Sequence, residues 1–159
     1  MEVSNLQDLL SEPSKKHIID SVDALGLGSA EAQHLKTPLT AVTHVLEQKH
    51  SLFIAHDDTT AWGILKVGRK HLFYLTPRGD FMELDPLCVL DFFVHPQRQR
   101  HGLGLHLFKS MLERESIAPH QLAYDRPSPK LFSFMRKHFG LDTFVDQPNR
   151  FVIYDAYFS

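Results

Sequence analysis

Positions 91–104 read DFFVHPQRQRHGLG. An apolar run breaks at His95-Pro96, turns basic through Arg98 and Arg100, and sets Gly102 and Gly104 one residue apart just before the apolar LHLFKSML. A strand ending in Gln99-Arg100-His101-Gly102-Leu103-Gly104 and running into a helix leaves several backbone N–H groups unpaired at the helix start, which makes an anion cradle. Glycine there lets the backbone approach a diphosphate without a Cβ in the way and adopt positive φ. The pattern lacks the lysine of a P-loop. It also lies too far along the chain for a dinucleotide fingerprint at the start of a βαβ fold.

Outward from that stretch, the preceding PLCVLDFFVHP is nearly continuous in apolar residues, as a central strand covered on both faces should be. Earlier still, SLFIAHD, TAWGILKVGRK and HLFYLTP predict an antiparallel meander punctuated by DDTT and TPRGD. The N-terminal third predicts a helix over KKHIIDSVDALG that stops at a glycine, then helix, break near Pro38 and helix again over SAEAQHLKTPLTAVTHVLEQ. After the glycines come the helix LGLHLFKSMLERES, the strand HQLAYD, the helix SPKLFSFMRKHFG and a final strand NRFVIYDAYF. The expected fold is α+β, a mixed and mostly antiparallel sheet flanked by helices, in a single domain over 1–159 with residues 1–14 irregular.

Composition narrows the function. With Lys+Arg 17 against Asp+Glu 19 the net charge is −2, which argues against a nucleic-acid partner. The charge is unevenly spread: residues 1–90 carry 8 basic and 12 acidic side chains, residues 91–150 carry 9 and 6. The quoted loop lies in the basic part. A single cysteine, Cys88, excludes an internal disulfide and suits a reducing compartment. No apolar run approaches the ~20 residues of a membrane span, so no membrane partner is expected. Cytoplasm is the expected location. His101 and His106 stand five apart, off one helical face and without a Cys or H-E-x-x-H partner, so no metal site is expected.

The loop resembles motif A of the GNAT acetyltransferases, [RQ]-x-x-G-x-[GA] between the fourth strand and the next helix. Taken with PHQLAYDRPSPKLFSFMRKHFGL and SAEAQHLKTPLTAV, in the same order and similar spacing, the chain resembles the α-tubulin N-acetyltransferase family from about Lys15 to Phe158. The family's leading strand is not readable in the first 14 residues. The resemblance implies acetyl-CoA as acetyl donor and a luminal-loop lysine of α-tubulin in microtubules as acceptor. It further implies action at the microtubule cytoskeleton, including cilia or flagella. A monomer is the default expectation, independent of the resemblance.

The same resemblance implies residue roles. Phe92, Phe93, Val94, His95, Gln99, Arg100, His101, Gly102, Leu103, Gly104 and Leu105 would lie along the pantetheine and diphosphate of the donor. Ser128, Lys130, Leu131, Phe134 and Lys137 would flank it from the following helix, with Arg136 a further candidate for the adenosine phosphates. A free lysine amine has a pKa of about 10.4, so attack on a thioester needs something to take its proton. Asp125 and Cys88 are candidates for that work. Gln33 cannot titrate, so its implied role is hydrogen bonding to substrate or loop. Two other readings stay open: a GNAT enzyme with a different protein or small-amine acceptor, and a weakly catalytic coenzyme A-binding microtubule-interaction domain.

Overall fold

The computed structural model describes all 159 residues. They divide into two compact units. The first comprises Met1–Val67 and Leu90–Glu115, the second Gly68–Val89 and Ser116–Ser159.

The first unit opens with a strand that the sequence does not announce. Residues expected to be irregular form β1 (Glu2–Asn5), which pairs antiparallel with β2 (Ser51–His56) in the register Val3↔Ala55 and Asn5↔Phe53. EVSN has little apolar character because β1 is a partly exposed edge strand, stabilised by ladder hydrogen bonds rather than by a core face. The side chain of Asn5 then caps α1 (Leu6–Leu10), accepting from the N–H of Asp8 at 2.8 Å.

A second departure concerns α2 (Lys16–Ala32), which runs straight through the glycine expected to end it. Its buried residues Ile18, Val22, Leu25, Gly26, Ser29 and Ala30 keep helical spacing throughout. Gly26 serves packing rather than termination, since a Cβ there would lie 2.0 Å from the carbonyl oxygen of Thr40. Its absence lets the segment after α2 cross close to the helix. That segment leads into α3 (Val42–Gln48), whose first N–H donates to Asp23 of α2.

β2 pairs antiparallel with β3 (Ala61–Arg69), and β3 neighbours β6 (Leu87–Val94). The core of this unit gathers Leu6, Leu9, Ile18, Val22, Leu25, Val45, Leu52, Ile54 and Ile64. Each such side chain contributes about 1.5–3 kcal/mol on leaving water. After β6, α4 (Leu103–Glu115) buries Leu107, Phe108 and Met111.

In the second unit the expected meander does not continue. β4 (Leu72–Leu75) pairs instead with β5 (Phe81–Leu84), an unanticipated strand, as a separate two-stranded sheet. FMEL is exposed along most of its length and so lacks the alternation that marks a half-buried strand. The turn between them places Gly79 at φ +94. The side-chain amide of Gln147 clasps the hairpin, accepting from the N–H of Leu75 at 2.7 Å and donating to its carbonyl at 3.0 Å.

β7 (Ala123–Asp125) runs parallel to the start of β6, with Cys88 opposite Ala123, and pairs antiparallel with β8 (Phe151–Val152). The last expected strand is therefore much shorter than NRFVIYDAYF. Tyr154 makes one isolated bridge to Phe144, and Asp155–Phe158 turn into a 3-10 helix. Between β7 and β8 lies α5 (Pro129–Phe139), capped by Ser128 and ended by Gly140 at φ +65. The arrangement is α+β with a mixed, mostly antiparallel sheet, as the sequence implied.

Candidate active site

The loop after β6 is held by side chains of its own unit. His95 donates its N–H to the carbonyl of Trp62 at 2.8 Å, and its ring Nδ1 accepts from the N–H of Gln97. Trp62 stands edge-on to the His95 ring at 5.2 Å, and its indole N–H donates to Asp57 at 2.8 Å. Three further donors within the hairpin converge on that carboxylate, and together they lower its pKa to about 2. Over the Trp62 ring, 4.4 Å from its centre, lies the Arg98 guanidinium. Gln99 folds back to donate to the carbonyl of Val94 at 2.8 Å. Trp62 and Arg98 thus shape the loop, a role that the sequence pattern alone did not reveal.

Beyond Gln99 the backbone turns left-handed twice, at Arg100 (φ +67) and at Gly102 (φ +79). The first backbone bond of α4 is His106 N–H to the Gly102 carbonyl, so the amides that begin the helix have no acceptor one turn earlier. A Cβ built on Gly102 would meet nothing within 4 Å. Arg100, His101 and Gly102 are exposed, and Gly104 and Leu105 half-buried. Bare amides, an open approach and a neighbouring guanidinium fit a diphosphate.

Other residues expected along the donor have structural duties as well. Val94 and Leu103 are buried, and Phe93 packs on the core and lies 3.1 Å from where a Cβ on Gly28 would be. Phe92 packs on Phe108. At these four positions packing alone would account for an apolar residue.

Gln33 caps the C-terminus of α2. Its backbone N–H donates to Ser29, and the chain leaves through a left-handed His34. Its side-chain Nε2 donates to Ser29 Oγ at 2.9 Å. Ser29 Oγ in turn donates to Asp91 Oδ1 at 2.7 Å, while Thr40 Oγ1 donates to Asp91 Oδ2 at 2.6 Å. Ser29, Thr40 and Asp91 are all buried. Sequence reasoning passed over this chain, although a carboxylate interrupting the apolar CVLDFFV was the available signal.

In the second unit, Cys88 is fully buried and its thiol points at the carbonyl of Pro86, 3.5 Å away. Burial, followed by the nearby negative charge of Asp125, pushes its pKa up to about 12. A thiol in that range is protonated at neutral pH and is a poor proton acceptor there. Asp125 ends β7 with a side chain 30% exposed, one oxygen 4.0 Å from the Arg126 guanidinium. Arg126 is left-handed at φ +44 and donates its N–H to the carbonyl of Arg150, which pins the turn after the carboxylate.

On α5, Ser128 Oγ accepts from the N–H of Leu131 at 3.2 Å, and Leu131 and Phe134 are half-buried. Lys130 and Lys137 are exposed and two turns apart, hence on one helix face. Arg136 pairs with Asp142 at 3.4 Å.

A family model described as "GNAT acetyltransferase, Mec-17" matches residues 3–159. The chain is 55% identical to an alpha-tubulin N-acetyltransferase of Phytophthora infestans over 77% of its length and 70% of the relative's. Proteins of the same name match at 42% identity in Tetrahymena thermophila and 39% in Danio rerio, covering 94% and 99% of this chain. The chain spans only 37% and 58% of those two relatives. Among solved structures, an aminoglycoside 6'-N-acetyltransferase of Acinetobacter haemolyticus is similar at a TM-score of 0.55 and 18% identity, over 92% of this chain and 94% of that one. An AtaT toxin variant bound to antitoxin and acetyl-CoA is similar at a TM-score of 0.53 and 12% identity, over 70% of each chain. At such identities these two likenesses establish the fold alone.

Proposed function

The chain belongs to the Mec-17 family of GNAT acetyltransferases, and from that premise we propose that it transfers an acetyl group from acetyl-CoA to a lysine side chain of α-tubulin. The acceptor is the lysine of the luminal loop in polymerised microtubules. The observation that carries the donor half is the loop Gln99–Gly104, which turns left-handed at Arg100 and Gly102, leaves open space beside Gly102 and starts α4 without helical acceptors for its first amides. α-Tubulin as acceptor rests on the activity for which the relatives are named, and the luminal-loop lysine on the family resemblance of the sequence.

The reaction is a direct transfer. The lysine ammonium gives up a proton, and its nitrogen forms a bond to the thioester carbonyl carbon. The carbon–sulfur bond breaks, the acylated nitrogen gives up its second proton, and the released thiolate takes one up. Acetyl-CoA supplies the activated acyl group; the protein must hold it, orient the amine and accept or steer the proton.

The amides of Gly102 to Leu105 with Arg100 hold the diphosphate, while Lys130 and Lys137 face the adenosine phosphates. Asp125 attracts the incoming ammonium and takes its proton directly or through water. Cys88, neutral and buried, packs rather than titrates. Gln33 accepts a hydrogen bond from the acceptor lysine.

The test pairs activity with binding. Incubation with acetyl-CoA and microtubules should yield acetylated α-tubulin by mass spectrometry. Gly102→Val should weaken acetyl-CoA binding severalfold by calorimetry while the chain stays folded. No protein atom lies within 4 Å of the new Cβ, so a loss beyond backbone strain reports a collision with the ligand. Unchanged affinity would remove the loop from the donor site. Absence of tubulin acetylation by a chain that still binds acetyl-CoA would sink the acceptor assignment.

A further inference from the structure

We propose that Asp91 is a positioning residue that fixes which way round the Gln33 amide sits, acting through the Ser29 hydroxyl. The inference rests on the reading of Gln33 as a contact to the acceptor lysine. Asp91 lies in β6, Ser29 on α2 and Thr40 in the segment before α3, and all three are buried within the first unit.

Proton accounting carries the point. A serine hydroxyl has one hydrogen and accepts through its lone pairs. Ser29 commits that hydrogen to Asp91 Oδ1 at 2.7 Å, and Thr40 commits its own to Oδ2 at 2.6 Å. Towards Gln33, therefore, Ser29 Oγ can only accept. An amide presenting its oxygen would place two acceptors against each other, so the amide must present Nε2, as it does at 2.9 Å. Planarity then turns Oε1 the other way, as an acceptor for an N–H.

Remove the carboxylate and the shorter of two constraints goes, leaving only the 3.4 Å bond from Nε2 to the Ser29 carbonyl. The Ser29 hydroxyl can then rotate to donate, which favours Oε1 facing it and competes with that long carbonyl bond, so the amide populates both orientations. A half-buried glutamine at a helix C-terminus would otherwise have several rotamers. The backbone of Gln33 is already fixed by its bond to Ser29 and by the left-handed His34, which leaves the amide orientation as what Asp91 controls.

The experiment uses Asp91→Leu, of similar shape without hydrogen-bonding atoms, and Ser29→Ala, each alone and combined with Gln33→Ala. Asparagine is avoided because its carbonyl could still accept from Ser29. Either change should lower kcat on tubulin by on the order of tenfold, less than the ~10²-fold that a full ångström of misplacement can cost. The KM for acetyl-CoA should stay unchanged. In the Gln33→Ala background neither change should lower kcat further, whereas a purely structural loss would multiply.

A second readout needs no activity. The Gln33 side-chain amide resonances, assigned by their disappearance in Gln33→Ala, should move towards random-coil values in Ser29→Ala. That variant also carries the test if Asp91→Leu does not fold. Unmoved resonances overturn the positioning itself, as does an equal drop in kcat in both backgrounds. A Gln33→Ala enzyme with full turnover overturns instead the role of Gln33 on which the inference rests.

Discussion

At the residue scale, two groups that the sequence put forward for the same work are separated by their surroundings. Asp125 keeps a side chain partly open to solvent at the end of a strand, whereas Cys88 is fully buried on its strand. Asp125→Asn, nearly isosteric and uncharged, should lower turnover about a hundredfold or more, within the ~10²–10⁴ range of general acid–base effects, and leave acetyl-CoA affinity unchanged. Steady-state kinetics beside calorimetry measures both. For Cys88 the expectation is a pH effect on stability instead. Its folded pKa of about 12 exceeds the ordinary value of 9.0, so the neutral thiol favours the folded state below pH 9 and that contribution is lost as pH rises towards 12. Tyr74, Tyr124 and Tyr154 shift in the same direction. Melting curves of wild type and Cys88→Ala isolate the thiol: the wild type should lose more stability between pH 9 and 11. Between pH 6 and 9 the two rate profiles should have the same shape. A thiol-like limb present only in the wild type would return Cys88 to the chemistry.

At the element scale, the loop before α4 offers a test of loop shape distinct from ligand contact. Arg98 stacks on Trp62, both half-buried, in a cation–π contact worth about 0.5–1 kcal/mol. Arg98→Ala should therefore weaken acetyl-CoA binding about two- to fivefold with little salt dependence. A larger, strongly salt-dependent loss would mean that Arg98 meets a phosphate directly. Gly26→Ala should cost at least about 2 kcal/mol, seen as a lower Tm, because the new carbon would meet backbone rather than a movable side chain. That glycine also marks the limit of sequence reading. A glycine inside a helix and a glycine ending one look alike until the crossing segment is known. β1 and β5 were illegible for a related reason, being exposed strands whose stability lies in pairing partners distant in sequence. What was legible, the glycine loop, α4, β7 and capped α5, is specified locally by turn residues and apolar spacing. The Gln33–Ser29–Asp91–Thr40 chain combines the two cases. Asp91 is conspicuous in its apolar strand, but nothing local names its partners, which lie 62 and 51 residues away.

At the scale of the whole chain, the fold constrains the donor more than the acceptor, because a scaffold can host unrelated acceptors through changes in its loops and edges. The choice of acceptor is therefore a measurement on the intact protein rather than on one residue. Specificity is the ratio of kcat/KM for competing acceptors, so the informative experiment presents microtubules and a lysine-rich histone peptide together with limiting acetyl-CoA. If the family reading holds, α-tubulin should take most of the label, and the advantage should depend on the folded partner: short peptides carrying the luminal-loop lysine should react far more slowly than microtubules. A preference of 10²-fold corresponds to about 2.7 kcal/mol of differential transition-state binding, within reach of a few well-placed contacts. Raising ionic strength separates two origins for it. At a net charge of −2 this chain has no general attraction for acidic surfaces, so a preference built on shape and hydrogen bonds should survive salt, whereas one built on local basic patches should fade. Equal kcat/KM on histone peptide and microtubules would assign the chain to a broader GNAT activity, and acetyl-CoA binding without product on either acceptor would identify a binding domain.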